Sequence, residues 1–272
     1  MNTLRKGSKG PLVRAIMFYL TGIGMYQGTV DSSFGPLMEE AVKRYQRARS
    51  LVEDGTVGPR TLAALVSEGM SIPIPVTGSD SPKRPPFGSP NNMWARLTFG
   101  EFKYHSAPEP GNKENIVIEG AWEDENIVSV SVEGLDAVDK DGRIRLHRKV
   151  AAQVQGFFKE VKDKGLSNLI ISSDGAFVPR FQRGSKTALS NHSWGSAFDL
   201  NADYNGLGKT PAGYGEQGCL LPLVPIAHTW GLYWGGHFSR CDGMHFEVGK
   251  ILSAGQKLNI DYDRSTFTFI EA

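Results

Sequence analysis

Residues 71–92, SIPIPVTGSDSPKRPPFGSPNN, hold six prolines and almost no apolar pattern. Proline fixes φ and lacks a backbone donor, so such a stretch can neither cross a sheet nor continue a helix. It extends as a semi-rigid spacer. A chain of 272 residues interrupted in this way divides into two folding units, with residues 1–70 before the linker and residues 93–272 after it.

The first unit repeats itself. Gly-Pro occurs at Gly10-Pro11, Gly35-Pro36 and Gly58-Pro59, and an apolar stripe of helical spacing follows each time. The stripes are Leu12, Val13, Ile16, Met17 and Leu20; Met38, Ala41, Val42 and Tyr45; and Leu62, Leu65 and Val66. Proline suits a first helical turn, where its missing N–H would be unpaired in any case. Two of these helices follow related loops, Asp31-Ser-Ser-Phe34 and Asp54-Gly-Thr-Val57. The pattern predicts a small three-helix domain built from duplicated loop-helix units.

The second unit reads as α+β. Ile116-Val117-Ile118 and Ile127 to Val132 are β-branched and partly alternating, as strands are. Val150, Val154, Phe157, Phe158 and Val161 then form a helical stripe that Gly165 should end, and Leu169-Ile170-Ile171 predicts a short buried strand. A mostly antiparallel sheet is expected.

Composition narrows the function. With 40% apolar and 22% charged residues the chain should fold, and a formal charge of +1 lacks the basic excess of a general nucleic-acid binder. No run of 18 apolar residues predicts a membrane span. Met1 to Lys6 carries charge with no apolar stretch behind it, so no secretory signal is expected. Cys219 and Cys241 are too few for a disulfide framework.

The chemistry concentrates in LSNHSWGSAFD, residues 189–199. Along one extended strand, His192 and Asp199 would stand roughly 23 Å apart on opposite faces, where no single ion holds both. Ser193-Trp194-Gly195-Ser196 is also poor helix material. A loop at His192, a tight turn at Gly195 and a strand carrying Asp199 fits better. GMHFEV, residues 243–248, alternates in the same way, with Met244, Phe246 and Val248 on one side and His245 and Glu247 on the other. Pairing the two strands brings Asp199 beside His245, below the His192 loop. Two neutral imidazoles and a carboxylate are a common set for catalytic zinc, although a simple His–Asp hydrogen bond explains the spacing too.

Ser190-x-His192-x-x-Gly195-x-Ala197-x-Asp199, followed by Trp234-Gly235-Gly236 and Asp242-x-x-His245, resembles the VanY-like D-alanyl-D-alanine metallopeptidases, which include carboxypeptidases and phage L-alanyl-D-glutamate endopeptidases. The resemblance covers roughly residues 95–250. It implies that His192, Asp199 and His245 hold Zn2+, that Asp242 is the general base, and that Arg180 binds or polarises the substrate. Glu247 is the rival base, His237 is either a spare ligand or a cleft-wall residue, and Ser190 either bonds substrate or shapes a turn. LRKGSKGPLV, FGP…AVKRYQ and DGTVGPRTLAAL resemble the small peptidoglycan-binding domain of wall hydrolases. Together the resemblances imply a monomeric hydrolase whose partner is bacterial peptidoglycan, with no nucleic-acid partner and no membrane insertion. The expected activity is that of a phage endolysin, made in the host cytoplasm, released through the membrane and cutting the L-Ala–D-Glu bond of stem peptides. A D,D-carboxypeptidase, a D,D-endopeptidase and a non-catalytic wall-binding protein are the alternatives.

Overall fold

Each Gly-Pro pair opens a helix. The computed structural model describes residues 3–70, 82–135, 138, 141–213 and 216–260. In it α1 spans Pro11–Gly22, α2 Pro36–Ala48 and α3 Pro59–Ser67. The expected stripes face inward: Val13, Ile16, Met17 and Leu20 share one core with Met38, Ala41, Val42, Tyr45, Leu62 and Leu65. The duplicated loops use one device, an aspartate that accepts a backbone N–H two residues on. Asp31 Oδ1 takes Ser33 N at 2.7 Å, and Asp54 Oδ1 takes Thr56 N at 2.8 Å. The second loop is also braced by buried Gln46, which reaches Asp54, the Thr56 carbonyl and Thr61, and accepts from Gly55 N. A buried amide so fully paired does not weaken the core around it.

The second unit is built from described residues 82–212 and 218–260. Residues 71–81 of the expected linker lie outside the described residues, whereas residues 82–91 belong to this unit. Its elements are α4 (Asn92–Phe99), β1 (Lys103–Ser106), β2 (Ile116–Glu119), α5 (Trp122–Asn126), β3 (Ile127–Ser131), β4 (Arg143–His147), α6 (Ala151–Asp163), β5 (Ala197–Asp199), α7 (Ala202–Asn205), α8 (Val224–Thr229), β6 (Leu232–Trp234) and β7 (His245–Val248). The strands form three small sheets, β1-β2, β3-β4 and β5-β7-β6, and every pair is antiparallel. The fold is α+β.

α6 carries the predicted stripe, with Val150, Val154, Phe157, Phe158 and Val161 all fully buried. It ends as Gly165 suggested: Gly165 N donates to the Lys162 carbonyl and Leu166 N to the Val161 carbonyl, which satisfies two of the last helical acceptors. Leu169-Ile170-Ile171 does not form the expected strand. Ser167–Leu169 is a 3-10 turn, and the N–H groups of Ile171 and Ser172 both donate to Asn201 Oδ1, at 2.8 and 3.1 Å. A side-chain acceptor has replaced the ladder partner.

The β5-β7-β6 sheet positions the site. Phe198 and Phe246 are register partners, and their rings stack 5.6 Å apart at 11°. Both pack on α6, with Phe157 5.9 Å from Phe198 and 6.1 Å from Phe246. Each such ring contributes roughly 1.5–3 kcal/mol by burial. Strand alternation then turns Asp199, His245 and Glu247 to the opposite face. Among the described residues no helix is long and apolar enough to cross a membrane, and Cys219 and Cys241 form no disulfide.

Candidate metal centre

His192 sits in a 3-10 turn, Asn191–Trp194, which Gly195 closes in the left-handed conformation at φ 63°. The turn returns the chain into β5, where Asp199 is the register partner of His245 on β7. The expected convergence is therefore met. His192 Nε2 lies 3.1 Å from His245 Nδ1 and 3.2 Å from Asp199 Oδ1, and His245 Nδ1 lies 3.0 Å from the same oxygen. One ligand atom from each residue falls within 4.8 Å of the others, and all three side chains are buried.

The donor set fits a divalent cation. His192 Nδ1 faces the Ala176 carbonyl at 2.7 Å, and His245 Nε2 faces Glu247 Oε2 at 3.0 Å. Both oxygens only accept, so both of these nitrogens carry their protons. The ligating nitrogens point at each other and at one carboxylate oxygen, an arrangement that needs a shared positive charge. In the metal-free protein a proton supplies it. Burial presses the His245 pKa down, but Asp199 and Glu247 outweigh it and push the value up to about 10. Burial likewise works against the Asp199 carboxylate, yet His192 and His245 hold its pKa well below the usual carboxylate range. A zinc ion held by His192, Asp199 and His245 would take the place of that proton, as the imidazole–imidazole–carboxylate set allows.

Glu247 is a partner of this centre. Its Oε2 faces His245 and accepts from Asn191 Nδ2 at 2.6 Å, while its Oε1 accepts from Ser89 Oγ at 2.6 Å. A carboxylate so engaged fixes the ring it faces and is a poor proton shuttle. Asp242 is different. It lies in the loop before β7, and burial raises its pKa. Among the described residues its Oδ1 has no hydrogen-bond partner.

Arg180 is tied to the ligand turn through its backbone: its N–H donates to Ser193 Oγ at 2.9 Å, and its carbonyl accepts from Ser193 Oγ and Ser190 N. A cavity of about 540 Å³ brings Arg180, Ser190, His192, Asp199, Asp242 and His245 onto one surface. Ser190 thus shapes the turn through its backbone and also lines the cavity. His237 is neither ligand nor cleft wall. It is buried, its ring 5.3 Å from that of His228 and 5.2 Å from that of Trp234. Asn191 and Ser89 were not legible as site residues. Asn191 lies inside the motif, but its partner is 56 residues away, and that of Ser89 is 158 away.

Residues 183–248 match the family model described as D-alanyl-D-alanine carboxypeptidase, a shorter span than the resemblance suggested, and residues 9–65 match the putative peptidoglycan binding domain. A curated relative, the zinc D-Ala-D-Ala carboxypeptidase of Streptomyces albus G, is 41% identical over 64 residues. That alignment covers 22% of this chain and 24% of the relative, so the chain matches about a quarter of the relative's length. A solved structure described as "The crystal structure of SleB N-terminal domain" aligns at 30% identity with 25% of this chain and 92% of its own, with a TM-score of 0.24. The chain thus carries two recognisable domains, a match to the peptidoglycan-binding family over residues 9–65 and a match to the D-alanyl-D-alanine carboxypeptidase family over residues 183–248.

Proposed function

We propose that this chain is a zinc peptidase that hydrolyses peptide bonds in the stem peptides of bacterial peptidoglycan, held at the wall by its N-terminal domain. One observation carries the reading: three buried ligand atoms converge on the wall of a cavity that Asp242 and Arg180 also line. Zinc, when bound by His192, Asp199 and His245, acts as a Lewis acid and makes water a nucleophile near neutral pH. Asp242 takes the proton of the attacking water and returns it to the leaving amine, a role suited to a carboxyl whose pKa burial has raised. Arg180 neutralises charge growing on the carbonyl oxygen. Ser190 bonds the substrate at the cavity wall.

The bond we assign is L-Ala–D-Glu, cut in the setting of phage-driven host lysis after release of the enzyme through the membrane. Arg180, Arg183 and Arg240 line the cavity and suit a peptide that carries a free carboxylate beside the scissile bond, which both D-Glu and a terminal D-Ala provide. The name of the Streptomyces relative favours a second reading, removal of terminal D-Ala. Mass spectrometry of digested peptidoglycan separates them: new N-terminal D-Glu marks the first, and loss of D-Ala alone marks the second. Chelation should abolish hydrolysis and zinc should restore it. Full activity in a metal-free His192→Ala protein would overturn the zinc reading.

A further inference from the structure

We propose that residues 84–92, read from sequence as the end of the linker, are a positioning strap of the metal centre, with Ser89 holding the Glu247 carboxylate that orients His245. The inference rests on the zinc reading and adds a positioning residue to it.

The strap is fastened on both sides of Ser89. Before it, Arg84 Nη2 donates to the His237 carbonyl at 2.6 Å, and the Phe87 ring meets His228 and Tyr233 edge-on at 6.5 and 6.4 Å. A Cβ added at Gly249 would lie 2.8 Å from Phe87 Cδ2 and 2.9 Å from the Gly88 carbonyl oxygen, so the residue just after β7 is one that lets this backbone come close. After it, Asn91 caps α4 through Trp94 N. Asn92 then pairs both ways with the Leu189 backbone, at 2.8 Å each, immediately ahead of the ligand turn. Pro85, Pro86 and Pro90 stiffen the intervening chain, which lowers the entropy lost in fixing one hydroxyl.

Between these fastenings Ser89 Oγ donates to Glu247 Oε1 at 2.6 Å, while Asn191 Nδ2 and His245 Nε2 face Oε2. Glu247 is only 2% exposed. Ser89 itself is exposed and lines the cavity beside Glu247; water that replaced its hydroxyl would not be fixed by the strap, and a carboxylate free to move turns the His245 ring. Second-sphere substitutions of this kind typically weaken metal binding by about 10–100-fold. Ser89 acts one bond further out, so about 3–10-fold is expected for its loss.

The test is the zinc dissociation constant of the full chain, read by competition with a chromophoric chelator. Urea midpoints of the metal-free proteins are measured alongside. Ser89→Ala should bind zinc about 3–10-fold more weakly with an unchanged metal-free midpoint, and Ser89→Thr, which keeps the hydroxyl, should restore affinity. Phe87→Ala should weaken zinc binding although the Ser89 hydroxyl is retained. Wild-type affinity in Ser89→Ala overturns the strap and leaves the zinc reading standing. Weakened affinity that Ser89→Thr does not rescue, with a lowered metal-free midpoint, assigns Ser89 to general stability and also overturns it. Failure of the wild-type chain to bind zinc overturns the zinc reading itself.

Discussion

Gly195→Ala should separate backbone strain from steric overlap at the ligand turn. Gly195 has φ 63°, and left-handed backbone costs an L-residue about 1–2 kcal/mol. An added Cβ would also stand 2.7 Å from His147 N, 2.9 Å from Ile127 Cδ1 and 3.1 Å from the Leu146 carbonyl carbon. Two of those neighbours are backbone atoms at β4, which cannot rotate aside, so overpacking adds about 1–3 kcal/mol. The sum is about 2–5 kcal/mol. Gly184 is the control, because it has φ 84° and, among the described residues, nothing within 4 Å of its Cβ position. Gly184→Ala should therefore lose only the conformational part. All five tryptophans, Trp94, Trp122, Trp194, Trp230 and Trp234, lie in the second unit, so urea unfolding followed by tryptophan fluorescence reports that unit alone. With a slope of about 2 kcal/mol/M, an excess loss of at least 1 kcal/mol lowers the Gly195→Ala midpoint by about 0.5 M relative to Gly184→Ala. Equal midpoints for the two variants would refute the overlap argument.

Asp242→Ala should retain zinc while kcat falls about 10²–10⁴-fold, and Glu247→Ala should instead lose zinc affinity; the opposite pattern of metal content and turnover reverses the two roles. Buried His147, His228 and His237 have pKa values lowered to about 4, 3 and 4, chiefly by burial. The unfolded chain therefore binds more protons below pH 6.5, and stability present above that pH should be lost as pH falls toward 4, by up to about 1.4 kcal/mol per pH unit per histidine. Urea midpoints across that window measure the slope, which His147→Asn should flatten, and an unchanged slope would remove His147 from the account. Deleting residues 1–70 should weaken lysis of insoluble wall and spare hydrolysis of a short soluble stem peptide, because a tethered binding domain raises only the effective concentration of wall. Equal loss on both substrates, in a folded and zinc-loaded truncation, would count against wall targeting.

The parts of the molecule that sequence made legible are those where periodicity and a special backbone residue agree. Pro11, Pro36 and Pro59 each open a helix that sends residues of its stripe, such as Ile16, Val42 and Leu65, into the core. The alternation about Phe198 and Phe246 was enough to pair Asp199 with His245. α4 went unread because its start rests on one capping side chain, Asn91, inside a segment whose prolines argued for a spacer. Ile170 and Ile171 misled because β-branched character records burial, whereas the Asn201 amide decides where the backbone bonds go. Ser89 and Asn191 were hidden for a further reason: their partner is fixed by tertiary packing, and no local pattern marks it.

The sheet beneath the metal centre has a consequence for how the protein meets its metal. In a strand as short as β5, Ala197–Asp199, a slip of one residue against β7 would send Phe198 toward the ligands and Asp199 toward α6. The slip is penalised twice, by a carboxylate driven into the phenyl stack and by a ring exposed to the cavity. Hydrophobic packing thus selects the alignment that also gathers the ligands, and it does so before any ion arrives. The zinc site is in this sense inherited from the core, so the apoprotein should hold its fold and bind the ion into ligands already facing one another.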